Sequence, residues 1–339
     1  MTHRFKRLRR FRFNLPQRIA AVLLVMFLAQ GLWLIGHQPL TPQSSGLYCG
    51  VHDGILACRL AGVPLALLFL AAGCLLGGGL WWVARRLYGN LGGYTALALY
   101  CFSPVALKSC IAPNPEVLAA LGVYGGVYTC IGVAHAMQGP VAKWRPRIVL
   151  LTAAFSLAAA SQIVALPVVA LLGLAFMLWV AEGRRRQVLP VVLAAVSGAL
   201  VFVFACYGFF PPAFSEFLRS APGLPRFSLE PARQFFSTLT NAGIIAAVVA
   251  ALALYLVQRR SRYFGNTTPL LCALLLMLLV TTGADDARWL WVLPFLLTFV
   301  GGVFADAYEG PRGRLAVAAA GVIVVAQAVL CVRSLPGVL

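Results

Sequence analysis

The chain has 339 residues, 61% of them apolar and only 11% charged, with 27 Lys+Arg against 9 Asp+Glu for a net charge of +18. A soluble domain has roughly 45–50% apolar and about 25% charged residues, so a soluble globular enzyme, a disordered chain and a disulfide-rich secreted module are excluded. What remains is an all-α, multi-pass transmembrane helical bundle.

Residues 1–18 form a basic segment containing Arg4, Lys6, Arg7, Arg9, Arg10, Arg12 and Arg18. A bilayer-crossing helix needs roughly 20 mostly apolar residues at 1.5 Å rise each. Runs of that kind follow at 19–36, 60–84, 91–107, 116–137, 148–163, 165–181, 188–209, 242–258, 269–283, 289–305 and 315–332. They predict about eleven spans, within a range of ten to twelve. The third run carries Pro104 near its end, and the fifth and sixth admit one helix broken around Ser161-Gln162. One polytopic domain is expected over 19–332, with outer loops near 37–59, 108–115, 210–241 and 283–288 and a short tail over 333–339. The basic start has the look of a signal peptide, but its apolar run is too long and no cleavage site with a soluble domain follows. An uncleaved first span is expected.

Lys and Arg in short connections set orientation. With the N-terminus in the cytoplasm, every inner connection is basic: Arg85 and Arg86; Lys143, Arg145 and Arg147; Arg184 to Arg186; Arg259, Arg260 and Arg262; Arg312 and Arg314. Asp53, Glu116, Glu216, Glu230, Asp285 and Asp286 then fall outside, and Glu182, Asp306 and Glu309 inside. The positive charge is therefore a topology signal, matched to anionic inner-leaflet lipid, and no nucleic-acid partner is expected.

Six of the nine cysteines lie in or at the edge of runs, where Cys acts as a small apolar residue. Cys49 and Cys58 share the first outer loop, where an oxidising compartment would allow them to pair. Together with His37 and His52 they fit no closed zinc pattern, and no metal site or other cofactor is expected, a divalent-metal requirement being left open. Asn266-Thr267-Thr268 matches the N-glycosylation triplet but falls in an inner loop, as a chance match. The pairs Gly92-Gly93, Gly125-Gly126 and Gly301-Gly302 and the run Gly77 to Gly79 read as close helix packing.

Ionisable groups at span mouths are the default functional candidates. Four outer places qualify. The first loop holds Asp53 beside His52, with Arg59 entering the second span. The second holds Lys108 and then Ala112-Pro113-Asn114-Pro115-Glu116, with Glu116 in the first turn of a helix, where the dipole favours a carboxylate. The longest loop carries Arg219, Arg226 and Arg233, and the fourth reads Asp285-Asp286-Ala287-Arg288-Trp289. Each has a bland reading as solvated loop, helix start or lipid contact. Their convergence on one face of a charge-poor chain favours a site.

The segment Val83-Ala84-Arg85-Arg86-Leu87-Tyr88-Gly89-Asn90-Leu91-Gly92-Gly93, followed by Ala96 to Tyr100 and Ser103-Pro104, resembles the polytopic GT-C glycosyltransferases that use lipid-linked sugars. These include protein mannosyltransferases and lipid A aminoarabinose transferases. Ala112 to Glu116 falls where that family has its second acidic motif, and Arg288-Trp289 with Leu293-Pro294-Phe295 resembles a late-span pattern. The resemblance runs in order over roughly residues 15–305. It departs from the family in a shorter first outer loop with one acid, Asp53, and in lacking the C-terminal soluble domain of some relatives.

The resemblance implies a membrane enzyme making hexosyl or pentosyl transfers from a polyprenyl-phosphate sugar donor to a cell-envelope acceptor, on the periplasmic face of a bacterial inner membrane. Asp53 and Glu116 would be the catalytic acids, Asp53 as base. Arg288 or Lys108 would face the phosphate, with Arg59 and Arg233 weaker choices, and Asp285 and Asp286 at the same mouth. Trp81, Tyr100 and Tyr124 are either lipid-groove lining or ordinary span residues. Two alternatives stay open: a transporter or flippase of a lipid-linked or anionic substrate, and a non-catalytic envelope-pathway subunit. Span interiors almost free of charge favour the transferase. Sugar, acceptor and oligomeric state are not legible.

Overall fold

In lipid every backbone polar group must be satisfied within its own segment, which leaves helices as the solution for apolar runs. The computed structural model describes residues 14–37, 63–112, 114–220, 226–237, 239–280, 289–310 and 313–338. Among them the chain forms α1 (Leu15–His37), α2 (Val63–Cys101), α3 (Pro104–Ile111), α4 (Glu116–Met137), α5 (Val141–Ser161), α6 (Ala165–Val180) and α7 (Arg185–Cys206). Then come α8 (Pro211–Ser220), α9 (Glu230–Ser237), α10 (Ala242–Val257), α11 (Phe264–Leu278), α12 (Trp289–Tyr308) and α13 (Gly313–Val338). Two short strands, β1 (Arg226–Phe227) and β2 (Leu279–Val280), pair antiparallel, Arg226 opposite Val280.

Six of these helices, α1, α2, α4, α7, α12 and α13, are long and apolar enough to cross a membrane. The chain is an integral membrane protein. α2 is itself a hairpin. Gly89 sits at φ 78°, ψ −172°, a conformation that glycine reaches without a Cβ penalty, and the two arms fold back on each other. Arg85 donates to Asn90 Oδ1 across the turn at 2.9 Å, and Tyr100 donates its hydroxyl proton to the Gly73 carbonyl at 2.8 Å. The second and third predicted runs are these arms. The fifth and sixth are separate helices, α5 and α6, parted by an extended Gln162. Counting both arms of α2, eleven apolar helical segments follow one another in the order of the eleven predicted runs among the described residues, and six of the helices have the length and hydropathy to cross a membrane. The turn at Gly89 and the connections 138–140, 181–184 and 258–263 lie at one end, here the basic end. Residues 112, 114–115, 162–164, 207–220, 226–237 and 239–241 lie at the opposite end.

The core centres on α12. Its apolar window is 94% buried, against 17% for α13, and it packs on α2, α4, α10, α11 and α13. Tyr124 of α4 and Thr298 of α12 share a buried hydrogen bond of 2.8 Å. Tyr100 and Tyr124 are therefore interior span residues. Asn266 differs from its sequence reading: it lies in the first turn of α11 rather than in a loop, fully buried, donating to Asp306 Oδ2 at 2.7 Å.

The third pass breaks at Ser103, whose hydroxyl caps α3 by accepting from the Ala106 N–H. Pro104 has no N–H to continue the ladder, and the carbonyls of Cys101 and Phe102 are met from other helices instead. Gln30 of α1 donates to Cys101 at 3.3 Å and Gln327 of α13 donates to Phe102 at 2.9 Å. Gln327 also donates to the Thr240 carbonyl and accepts from the Ile244 N–H, both at 3.2 Å. One fully buried glutamine thus ties α13 to the α2–α3 break and to the start of α10. Gln327→Leu is expected to lower stability by about 2 kcal/mol, three interhelical hydrogen bonds at roughly 0.6 kcal/mol each. An unchanged thermal midpoint in detergent would show the clip to be idle.

Candidate functional site

At the end opposite the basic connections, the chain leaves α3 and enters α4 through residues 112–115. Asn114 Oδ1 accepts the Glu116 N–H at 3.0 Å, holding the first turn of α4. Glu116 is 4% exposed. Burying a carboxylate is costly, and at a membrane bundle such a group marks a functional candidate; the positive end of α4 offsets part of the cost. Lys108, in the last turn of α3, is exposed. The two charged residues therefore flank one turn. α3 packs on α1, α2, α4, α12 and α13, so this turn adjoins the helices that border the connections 38–62 and 281–288.

Of the other sequence candidates, Asp53, Arg59, Asp285, Asp286 and Arg288 lie outside the described residues, as do Cys49, His52 and Cys58. Arg233 is exposed on α9. That helix is docked on the start of α12, because Phe235, buried, stacks on Trp289 with ring centroids 4.6 Å apart. The long connection is fastened a second time by the β1–β2 ribbon, extended by the Ser228 N–H donating to the Leu278 carbonyl at 2.9 Å. Arg226 and Arg233 thus stand on segments attached to the two sides of the α11–α12 connection. α8 lies alongside the end of α7, with Phe217 and Tyr207 rings 5.0 Å apart. The sequence reading left Asn114 without a role, although it lies in the Pro113-Asn114-Pro115-Glu116 motif. It also passed over Gln30 and Gln327, whose signal was a glutamine within an apolar run. Trp81, half-buried, carries Arg85 5.1 Å above its ring at the basic end. Among the described residues no three His, Cys, Asp or Glu side chains gather to hold a metal.

Fold and site together define a class: a polytopic, all-α membrane protein with a buried carboxylate at one mouth of its bundle. No protein-family model and no curated protein matches the sequence. Solved structures do. The chain aligns over 94% of its length with 74% of ArnT from Cupriavidus metallidurans in the apo state, TM-score 0.58 at 15% identity. Against ArnT from the same organism bound to undecaprenyl phosphate it covers 92% of itself and 62% of that chain, TM-score 0.61 at 16% identity. The Archaeoglobus fulgidus oligosaccharyltransferase, in complex with Zn and sulfate, aligns over 92% of this chain and 52% of its own, TM-score 0.54 at 11% identity. The chain thus spans between half and three quarters of these neighbours' length. It has the GT-C fold of these membrane glycosyltransferases.

Proposed function

We propose that the chain is a glycosyltransferase that moves a sugar from a polyprenyl-phosphate carrier to a cell-envelope acceptor. The reaction would take place at the end of the bundle opposite the basic connections, in a bacterial inner membrane with the N-terminus cytoplasmic. In this chemistry an acceptor hydroxyl attacks C1 of the sugar, the C1–O bond to phosphate breaks, and the hydroxyl proton passes to a carboxylate. Asp53 takes that proton, Glu116 serves as second acid, and cations stabilise the departing phosphate. Arg288 and Lys108 are the first choices for the phosphate and Arg59 and Arg233 the next, with Asp285 and Asp286 at the same mouth. The observation that carries the reading is the buried Glu116 at the mouth of a GT-C bundle. Undecaprenyl phosphate bound to ArnT supports a carrier of that chemistry.

The test is sugar transfer in membranes supplied with a panel of radiolabelled polyprenyl-phosphate sugars, wild type against Asp53→Asn at matched expression. Transfer by the wild type and its abolition in Asp53→Asn is the expected result. Equal transfer by both removes Asp53 from the role of base. No transfer from any donor in the panel by the wild type moves the assignment to a transporter or a non-catalytic subunit.

A further inference from the structure

α13 is the least buried of the six long apolar helices. Its buried positions among the described side chains are Gly313, Ala320, Gln327 and Cys331, one stripe along a single face. An apolar residue would bury as well at every one of them, yet the third is a glutamine that is fully buried. Both hydrogens of its amide are donated, to the carbonyls of Phe102 and Thr240, and its oxygen accepts the Ile244 N–H. Cys331, one turn on, donates its thiol to Gln30 Oε1 at 3.5 Å, and Gln30 donates to the Cys101 carbonyl. The stripe therefore reaches both carbonyls freed at the α2–α3 break, one directly and one through Gln30.

The break is a joint. The bend that brings both carbonyls onto glutamine amides is satisfied, and a different bend leaves a carbonyl unpaired in apolar surroundings. α3 has eight residues, about 12 Å at 1.5 Å each, so a tilt of ~10° about the break moves its far end by about 2 Å. That far end carries Lys108 and leads to the Asn114–Glu116 turn. A displacement of about 1 Å in reacting groups can cost about a hundredfold in rate. On its other side Gln327 holds Thr240 and Ile244, where the outer connection that bears Arg233 runs into α10. One side chain thus sets the helix with Lys108 and the end of that connection against the same atoms.

We propose that Gln327, assisted by Gln30, is a positioning residue: it fixes the angle of α3 and so holds Lys108 against the departing phosphate, without touching substrate itself. The proposal rests on the sugar-transfer reading. Gln327→Met keeps the volume of the side chain and removes its hydrogen bonds to α3, Thr240 and α10. Thr298→Val is the control, since it removes an equally buried bond, Thr298 to Tyr124 between α12 and α4, away from the break.

In the purified full-length protein both variants are expected to lower the thermal midpoint by similar amounts. Amide hydrogen exchange should rise at residues 104–112 and 240–244 in Gln327→Met alone, because local opening follows the loss of local bonds. Below both midpoints, Gln327→Met should lower kcat/KM for transfer from a polyprenyl-phosphate sugar at least about tenfold, and Thr298→Val should stay within about threefold of wild type. Residues that act as a unit are not additive, so on a Lys108→Gln background Gln327→Met should cost no more than about threefold. Gln30→Met, which releases only the Cys101 carbonyl, should raise exchange at 104–112 alone and lower transfer by a smaller factor, and it decides the matter if Gln327→Met folds poorly. Unchanged exchange in α3, equal loss of transfer in Gln327→Met and Thr298→Val, or fully additive losses with Lys108→Gln overturns the proposal. A wild type that transfers sugar from no donor removes the sugar-transfer reading and this proposal with it, whereas an active wild type whose Gln327→Met variant follows Thr298→Val removes the proposal alone.

Discussion

Glu116→Gln is expected to lower sugar transfer at least a hundredfold while the thermal midpoint moves little. The two side chains are nearly isosteric, so packing at the start of α4 survives, and a carboxylate at a helix N-terminus is worth only about 0.3–1 kcal/mol in stability. Proton transfer by a positioned acid or base contributes about 10²–10⁴-fold. The two roles therefore separate by readout. If Glu116 merely starts a helix, the variant loses a fraction of a kcal/mol and transfers sugar at the wild-type rate. If it serves the reaction, the rate collapses in a protein that melts as before. Initial rates and a melting curve on one preparation distinguish them. Asn114, which orders this turn through the Glu116 N–H, should show a smaller loss of rate on Asn114→Ala.

The second large effect concerns helix contact. An ideal Cβ on Gly122 would lie 2.4 Å from Ala158 N and 2.8 Å from Ala154 O, and one on Gly301 would lie 2.4 Å from Gly92 O. Each obstacle is backbone, which cannot rotate away. Gly122→Ala and Gly301→Ala should each cost about 1–3 kcal/mol or more, the range of overpacking in a filled core. Gly78→Ala is the control. Nothing lies within 4 Å of its Cβ, and exchanging Gly for Ala within a helix gains up to about 1 kcal/mol in propensity. Thermal midpoints that fall for the first two and hold or rise for the third are the expected result. A Gly122→Ala protein as stable as Gly78→Ala would mean that α4 and α5 separate freely at their crossing.

These contrasts show how far the sequence could be read. The helices were legible because an apolar run of fixed length has few options in lipid. The glycine pairs were legible as packing sites, but not which partner does the packing. Gly92 and Gly301 face each other, while Gly78 and Gly79 meet nothing. Glu116 stood out because acids are scarce in this chain. Gln327 did not, because the carbonyl that it satisfies is freed by a break 225 residues away. The Asn266 triplet could be set aside on topology alone. Its actual occupation, a hydrogen bond to Asp306 forty residues on, depends on how α11 and α12 pack.

The burial of α12 bears on how the bundle is assembled. Its partners α2 and α4 lie some 150 to 240 residues earlier in the chain. A growing chain therefore inserts most of its passes before the helix that they close around has been made. Until then the α12-facing surfaces of α2 and α4, including Gly92 and Tyr124, meet only lipid or one another. Contacts this distant in sequence carry a large loop-closure cost and slow folding. The membrane offsets much of that cost by holding each pass upright beforehand. Order of synthesis then makes α12 the keystone: the bundle is committed late, in one step, when its most buried helix arrives.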